Sequence, residues 1–277
     1  MILKKYKYPI LFYALSISIP WALWFIAGYI SHNAHDVRQS VLLISFLGLL
    51  APVLVSLLLI LPDKDLKHDF LNRFFRFKSI KPKYLFITSL LMLSSIILSQ
   101  LISLLFGYNI SQFHITGSYS FTSGVLPVWV LLFIAPAIEE LAWHSYGTDC
   151  LRARFDLFTT CIIFALFWGL WHFPLSFIKD YYHSNLVESG LIYSLNFILS
   201  LFPFVIIMNW LYYKTNRNIL VAIIFHITAG YFNEIFATHP MSKVIQTALL
   251  TLFAIFLVFK EKDLFFGHNT SKYSSNL

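Results

Sequence analysis

The sequence has 277 residues, of which 58% are hydrophobic and only 12% are charged. Soluble domains carry about 25% charged residues, so this composition excludes a soluble globular protein and predicts a polytopic integral membrane protein. The net charge of +7 is spread over several segments, which indicates contact with membrane lipid rather than a nucleic-acid partner. Cys150 and Cys161 form no C-x-x-C pattern and are predicted to be packed thiols.

Eight apolar segments along the chain are long enough to cross a bilayer, which takes roughly 20 residues. In chain order they cover residues 9–30, 41–62, 84–106, 125–147, 158–178, 191–213, 219–237 and 243–259. The first is longer than the apolar part of a signal peptide and no A-x-A cleavage pattern follows it, so we expect it to be retained. The predicted fold is an all-α, polytopic transmembrane helical bundle of about eight spans in the cell membrane.

Lysine and arginine predict the orientation of this bundle. If the N-terminus is cytosolic, nearly all of the 20 Lys and Arg residues lie in cytosolic segments, and only Arg38, Lys179 and Lys243 lie in outer loops. The positive-inside rule then favours an even number of spans with both termini in the cytosol.

The polar segment 63–83, DKDLKHDFLNRFFRFKSIKPK, differs from the other connections. Its Phe70, Phe74 and Phe77 recur at helical spacing among basic residues. This pattern predicts an amphipathic helix lying in the membrane interface; the alternative is a solvated basic loop.

Few ionisable side chains occur inside the predicted spans, where each costs about 3 kcal/mol or more and therefore needs a partner or a function. They are Glu139, Glu140, His172, His226 and Glu234. Adjacent helix positions lie about 100° apart, so Glu139 and Glu140 face different ways. His144 lies one turn after Glu140 on the same face, which leaves Glu139 free to point into the bundle.

Two prolines accompany these residues. Pro136 lies one turn before Glu139, and Pro174 lies two residues after His172. Proline removes a backbone donor and opens a helix locally, which suits a water-filled cavity around the acids or, alternatively, simple packing kinks.

A carboxylate and imidazoles beside water are suited to general-base catalysis with stabilisation of an oxyanion. Glu139, His172 and His226 are also ligand types that hold Zn²⁺, although the sequence lacks the H-E-x-x-H motif. A proton-coupled carrier and a buried polar network without chemistry remain alternatives.

Three motifs on successive predicted helices resemble the CPBP family of intramembrane proteases, the type II CAAX prenyl endopeptidases, called Abi in bacteria. They are EELAWH from Glu139 to His144, WGLWH from Trp168 to His172 followed by FPL, and HITAGYFN from His226 to Asn233. The resemblance covers about residues 125–240. We therefore divide the chain into N-terminal helices (1–124), a protease-like core (125–240), and a last helix with a cytosolic tail (241–277).

The resemblance implies roles for the site residues. Glu139 and His172 would activate the attacking water, directly or through a metal, and His226 would help to bind the oxyanion. Glu140 matches the glutamate that the family pairs with an arginine four residues later. The implied reaction is hydrolysis of a peptide bond in a membrane-associated protein or peptide substrate. The alternative function is a non-catalytic role in bacteriocin immunity or another interaction.

Three positions depart from the family pattern. His144 replaces the arginine, so a permanent charge and its bidentate fork are lost. Trp168 replaces phenylalanine, which we interpret as a mild change. Gly230 stands where asparagine is usual and removes an oxyanion donor. Asn233 is a candidate replacement one turn further along the same helix, although about 4.5 Å away along the axis.

Overall fold

The computed structural model of the protein describes residues 2–34, 36–76, 80–116 and 127–267. Within these ranges the chain forms helices and no β-strand, and one isolated antiparallel bridge joins Ile115 to Phe236. Seven helical stretches of the described residues, two of which combine consecutive helices, are long and apolar enough to cross a membrane. The fold is therefore an all-α, multi-pass helical bundle.

The helices are α1 (Pro9–Asn33), α2 (Arg38–Ile60), α3 (Lys64–Phe75), α4 (Pro82–Leu104), α5 (Val128–Ala142), α6 (Thr148–Arg152), α7 (Leu157–His172), α8 (Tyr182–Ser189), α9 (Leu191–Lys214), α10 (Ile219–Ile235), α11 (Pro240–Lys260) and α12 (Lys262–Phe265). A π-helical turn, Trp143–Gly147, joins α5 to α6. These three pieces together form one candidate span, Val128–Arg152. A 3₁₀ helix, Phe173–Phe177, follows α7 and contains Pro174.

The helix boundaries follow local sequence signals. Proline occupies the first turn of α1, α4 and α11, where its missing N–H leaves no hydrogen bond unmade. Asp63, Asp156 and Asn218 cap α3, α7 and α10, because each side chain accepts hydrogen bonds from backbone N–H groups of the first turn.

The segment predicted as the seventh of eight spans is shorter than expected. Its helix α10 has 17 residues, which corresponds to about 26 Å at a rise of 1.5 Å per residue. It ends at Ile235 because Phe236 adopts an extended conformation and bridges to Ile115. Helix α10 packs against α4, α5 and α9, so much of its surface contacts protein.

Large apolar side chains remain exposed on the outer surfaces of the long helices. Examples are Ile10 on α1, Leu58 on α2, Phe86 on α4, Leu166 on α7 and Phe259 on α11. A soluble monomer rarely exposes so much apolar surface, whereas lipid tails solvate it. The backbone donors of these helices are satisfied internally, as a bilayer requires.

The polar segment after α2 forms a helix, as predicted, but it also packs against the protein. Phe70 and Phe74 of α3 are half-buried against the hydrophobic core, whereas Phe77 lies outside the described residues. Arg73, on the same helix, is only 5% exposed. The basic character of this segment is therefore partly a buried structural feature, which excludes a solvated loop over Lys64–Phe75.

A buried ionic cluster connects α3 to the rest of the bundle. It consists of two acids and two bases, Asp69, Arg73, Asp149 and Arg217. Asp149 accepts hydrogen bonds from Arg73 at 2.8 Å and from Arg217 at 2.6 Å. Asp69 accepts from Arg217 at 2.9 Å and from the Tyr6 hydroxyl at 2.6 Å. Burial disfavours the charged form of Asp69, but Arg73 and Arg217 outweigh it and lower the pKa of Asp69 to about 2.

The same cluster supports the π-helical turn that follows α5. Arg73 donates to the backbone carbonyls of His144 and Ser145, both at 2.9 Å. A π-helical turn interrupts the regular i→i−4 hydrogen bonding of a helix. Arg73 thus satisfies two carbonyls within the turn that presents His144.

Candidate active site

Glu139 lies on α5 and is held through one of its two carboxylate oxygens. Its Oε2 accepts a hydrogen bond from the Trp168 indole N–H at 2.9 Å, and the Trp143 indole nitrogen lies 3.5 Å from the same atom. Its Oε1 accepts no hydrogen bond from any described residue, and Glu139 lines a cavity of about 550 Å³. One oxygen is therefore fixed while the other is available to a ligand or to water.

His172 ends α7 and lines the same cavity. Its Nδ1 lies 2.7 Å from the Trp168 carbonyl oxygen. Because a carbonyl only accepts, Nδ1 carries the proton and Nε2 of the neutral ring is left as an acceptor. The backbone of α7 thus sets the tautomer of His172.

Glu140 bridges two histidines behind the cavity. It is fully buried, and its Oε1 accepts from Nδ1 of His226 at 2.8 Å. Its Oε2 forms a short hydrogen bond with Nδ1 of His144, the residue one turn later. Glu139 and Glu140 therefore have different partners, as their adjacent positions on a helix require.

His144 is completely buried in the π-helical turn. Its ring packs edge-on against Tyr212, and its Nε2 has no hydrogen-bond partner among the described residues. It does not line the cavity. His144 thus contacts the site through Glu140.

The cavity brings together the predicted residues from three helices. Glu139, His172 and His226 all line it. Trp168 joins them, because its ring lies 5.2 Å from the His226 ring and 5.6 Å from the His172 ring. Pro136 also lines the cavity, and Glu234 lines it at the far end of α10.

Gly230 and Asn233 lie on the cavity wall formed by α10. The Asn233 side-chain amide donates to the Ala229 carbonyl at 2.9 Å. An amide nitrogen has two N–H groups, so one remains for a ligand. Gly230 contributes no side-chain donor.

Sequence reasoning missed two features of the site. The Trp168 indole N–H is a direct partner of Glu139, although the change from phenylalanine was interpreted as mild. His183 of α8 stacks on His172 with ring centroids 5.0 Å apart and lines the cavity. The indole donor was a usable signal, because a buried Trp N–H tends to find an acceptor. His183 lies outside the predicted spans and carried no motif.

The zinc set predicted from the sequence consists of Glu139, His172 and His226. The described residues contain no group of three His, Cys, Asp or Glu side chains that could hold a metal ion. Trp168 holds Oε2 of Glu139 and Nδ1 of His172, which leaves Oε1 and Nε2 as the atoms that a metal would contact. A zinc site at Glu139, His172 and His226 therefore stays a prediction from the sequence.

Comparison with known proteins gives a match over the same core. The family described as "Type II CAAX prenyl endopeptidase Rce1-like" matches residues 120–232. A CAAX prenyl protease 2 from Methanococcus maripaludis is 38% identical over 267 residues, which cover 95% of this chain and 98% of that protein. The chain therefore belongs to the Rce1-like type II CAAX prenyl endopeptidase family and is a multi-pass membrane protease.

Proposed function

We propose that this protease hydrolyses the peptide bond after a prenylated cysteine in a C-terminal CAAX motif. The names of the family and of the relative, which describe CAAX prenyl proteases, support this substrate class. The observation that carries the mechanism is the cavity into which Glu139, His172 and His226 all face. Leucines and Phe46 of α2 line the same cavity and provide apolar surface for a prenyl chain.

In the proposed reaction, Glu139 is the general base. Its Oε1 takes a proton from a water molecule that His172 orients through Nε2, and the water oxygen bonds to the scissile carbonyl carbon. The C–N bond then breaks, and Glu139 returns the proton to the leaving amine. This sequence uses the oxygen of Glu139 that Trp168 leaves open.

His226 is the proposed oxyanion donor. Its Nδ1 faces the Glu140 carboxylate, which only accepts, so Nδ1 carries a proton. Its Nε2 donates to an oxyanion when the ring is an imidazolium, and Glu140 supplies the balancing negative charge. Asn233 has one further N–H on the same wall, which partly compensates for Gly230.

We also propose that both termini are cytosolic. The basic segments at the chain start and between the spans support this orientation. It places the buried ionic cluster at the cytosolic end of the bundle, because Tyr6, α3 and Arg217 belong to segments predicted to be cytosolic.

The cleavage assay uses purified protein in liposomes and a peptide that ends in farnesyl-cysteine and three further residues. We expect release of the last three residues, measured by mass spectrometry. The same peptide without the farnesyl group should be cleaved much more slowly, because it lacks the apolar group that the cavity binds. Equal cleavage of both peptides would contradict prenyl recognition, and cleavage of neither would overturn the proposed function.

Cleavage should be insensitive to metal chelation. The donor geometry supports a mechanism in which Glu139 acts on water directly. Prolonged treatment with EDTA should leave kcat unchanged, and elemental analysis of the active protein should find less than one equivalent of Zn²⁺. Loss of activity that returns on adding Zn²⁺ would contradict this mechanism.

Trp168→Phe should lower kcat by about 10- to 100-fold, because a hydrogen bond to a charged group contributes roughly 1.5–3 kcal/mol. The substitution restores the family residue but removes the donor to Glu139 Oε2. KM should change little, since the prenyl-binding surface is retained. Kinetics of farnesylated-peptide cleavage measure both parameters.

Trp210→Phe is the matched control for this prediction. Trp210 is buried on α9, and its indole N–H has no hydrogen-bond partner in the part of the chain that the structure describes. The control should keep its kcat. If the two variants lose activity equally, the effect of Trp168 is packing rather than positioning of Glu139.

A further inference from the structure

One wall of the cavity runs along α10 away from His226, the proposed oxyanion donor. The residues of α10 on this wall share one face over successive turns; they are His226, Ala229, Gly230, Asn233 and Glu234. His226 and Glu234 are eight residues apart, which corresponds to about 12 Å along the helix axis. The wall therefore extends well beyond the proposed site of bond cleavage.

The side chain of Lys243 faces the far end of this wall. Among the described residues that line the cavity, Lys243 of α11 is the only Lys or Arg. Its Nζ lies 3.9 Å from Oε1 of Glu234, and the two side chains are 25% and 7% exposed. That separation is too long for a hydrogen bond.

The ammonium group of Lys243 has unused donors. An ammonium carries three N–H donors, and Lys243 donates no hydrogen bond through its side chain to any described residue. A charge in a largely apolar cavity is costly unless it is well paired. Glu234, whose Oε1 lies 3.9 Å from the ammonium nitrogen, leaves space for a second anion to bind Lys243.

We infer that Lys243 binds the C-terminal carboxylate of the substrate. This inference rests on the proposed function, in which cleavage after the prenylated cysteine leaves three residues before the chain end. Three extended residues span about 10 Å, which matches the distance along α10 from His226 to the end where Lys243 lies. The carboxylate then accepts hydrogen bonds from the ammonium while the scissile carbonyl lies beside His226.

This site would also define the distance between the cut and the end of the substrate. A peptide with additional residues after the motif would have to place neutral backbone beside Lys243. A peptide that ends earlier would not reach it. By binding the free carboxylate, Lys243 thus distinguishes a C-terminal motif from the same sequence inside a chain.

The competing interpretation is that the Lys243–Glu234 pair only fastens α10 to α11. Binding of two matched peptides separates these interpretations. Both end in farnesyl-cysteine and three further residues and carry a fluorophore; one has a free C-terminal carboxylate and the other a carboxamide. Dissociation constants are measured with Glu139→Gln protein in liposomes, so that turnover does not interfere.

The carboxylate peptide should bind about 10- to 100-fold more tightly than the carboxamide, as expected for a hydrogen-bonded charge pair. Lys243→Gln should remove this preference, and Lys243→Arg should retain most of it. Glu234→Gln breaks the pair but keeps the cation, so it should retain or increase the preference.

Equal affinity of the two peptides, or equal loss of preference in Lys243→Gln and Glu234→Gln, would overturn the inference. Because binding is measured without turnover, its result is separate from that of the cleavage assay. Absence of cleavage by wild-type protein would overturn the proposed function, whereas normal cleavage with no carboxylate preference would overturn only the role of Lys243.

Discussion

Glu139→Gln should reduce kcat for cleavage of the farnesylated peptide by about 10²- to 10⁴-fold, the range expected when a general base is removed. The amide oxygen of glutamine can still accept the hydrogen bond that Trp168 donates to Oε2. The side chain keeps its size and position but cannot take a proton from water. Substrate affinity should therefore change far less than kcat.

Glu188→Gln is the control for the general-base prediction. Glu188 lies on α8 with an exposed side chain, outside the cavity lining. This variant should cleave at the wild-type rate, which shows that loss of a carboxylate elsewhere is harmless. If Glu139→Gln also cleaves at that rate, another residue is the base. If Glu139→Gln keeps the biological activity of the protein in cells but does not cleave the peptide, a binding role is favoured.

Most of the fold could be predicted from hydropathy because lipid requires long apolar helices. The predicted segment 41–62 corresponds to Arg38–Ile60, and 191–213 corresponds to Leu191–Lys214. The exception is α10, whose end at Ile235 depends on the bridge between Phe236 and Ile115. Such a contact joins residues distant in the sequence, so no local pattern indicates it.

The core of the site could be predicted because ionisable residues are costly inside a span. The free-energy cost of an ionisable side chain inside a span identified Glu139, His172 and His226, and the structure places all three at one cavity. That cost does not apply to Trp168, which carries no charge, and its indole N–H was the only signal in the sequence for its contact with Glu139. Lys243 was counted only as an outer-loop charge, because its position at the cavity depends on how α11 packs against α9 and α4.

The ionic cluster also could not be predicted from the sequence. Arg73 and Arg217 were counted as juxtamembrane charges that set the orientation, and a count of charges carries no information about burial. In the structure they neutralise two buried acids from different segments, Asp69 and Asp149. The cluster thereby joins α3, α6 and the connection between α9 and α10.

This cluster matters for the site because Arg73 also holds the π-helical turn that contains His144. His144 contacts Glu140, and Glu140 contacts His226. A continuous set of hydrogen bonds therefore runs from α3 to the proposed oxyanion donor. Substitution of a residue in the cluster should mainly lower the stability of the protein and, to a lesser extent, shift the position of His226.

Arg217→Met should lower the free energy of unfolding by about 3–5 kcal/mol, because removing one partner leaves an unpaired charge in a buried site. Arg217 contacts Asp149 at 2.6 Å and Asp69 at 2.9 Å, and it is only 4% exposed. Unfolding in mixed micelles of mild detergent and dodecyl sulfate at pH 7 measures the change. Lys214→Met is the matched control, since its pair with Glu261 is partly exposed and should contribute at most about 1 kcal/mol.

The loss in Arg217→Met should shrink at acid pH, and the sign follows from Asp69. Its folded-state pKa of about 2 lies below the unfolded value of about 3.9. The stability that it contributes is thus complete above pH 4 and is lost as the pH falls through about 2. Protonated Asp69 no longer needs Arg217 for charge balance.

If Arg217→Met does not fold, Asp149→Asn combined with Arg217→Met removes both charges and should recover most of the stability. A double variant no more stable than Arg217→Met would mean that packing of the Arg217 side chain, rather than charge compensation, holds this end of the bundle together.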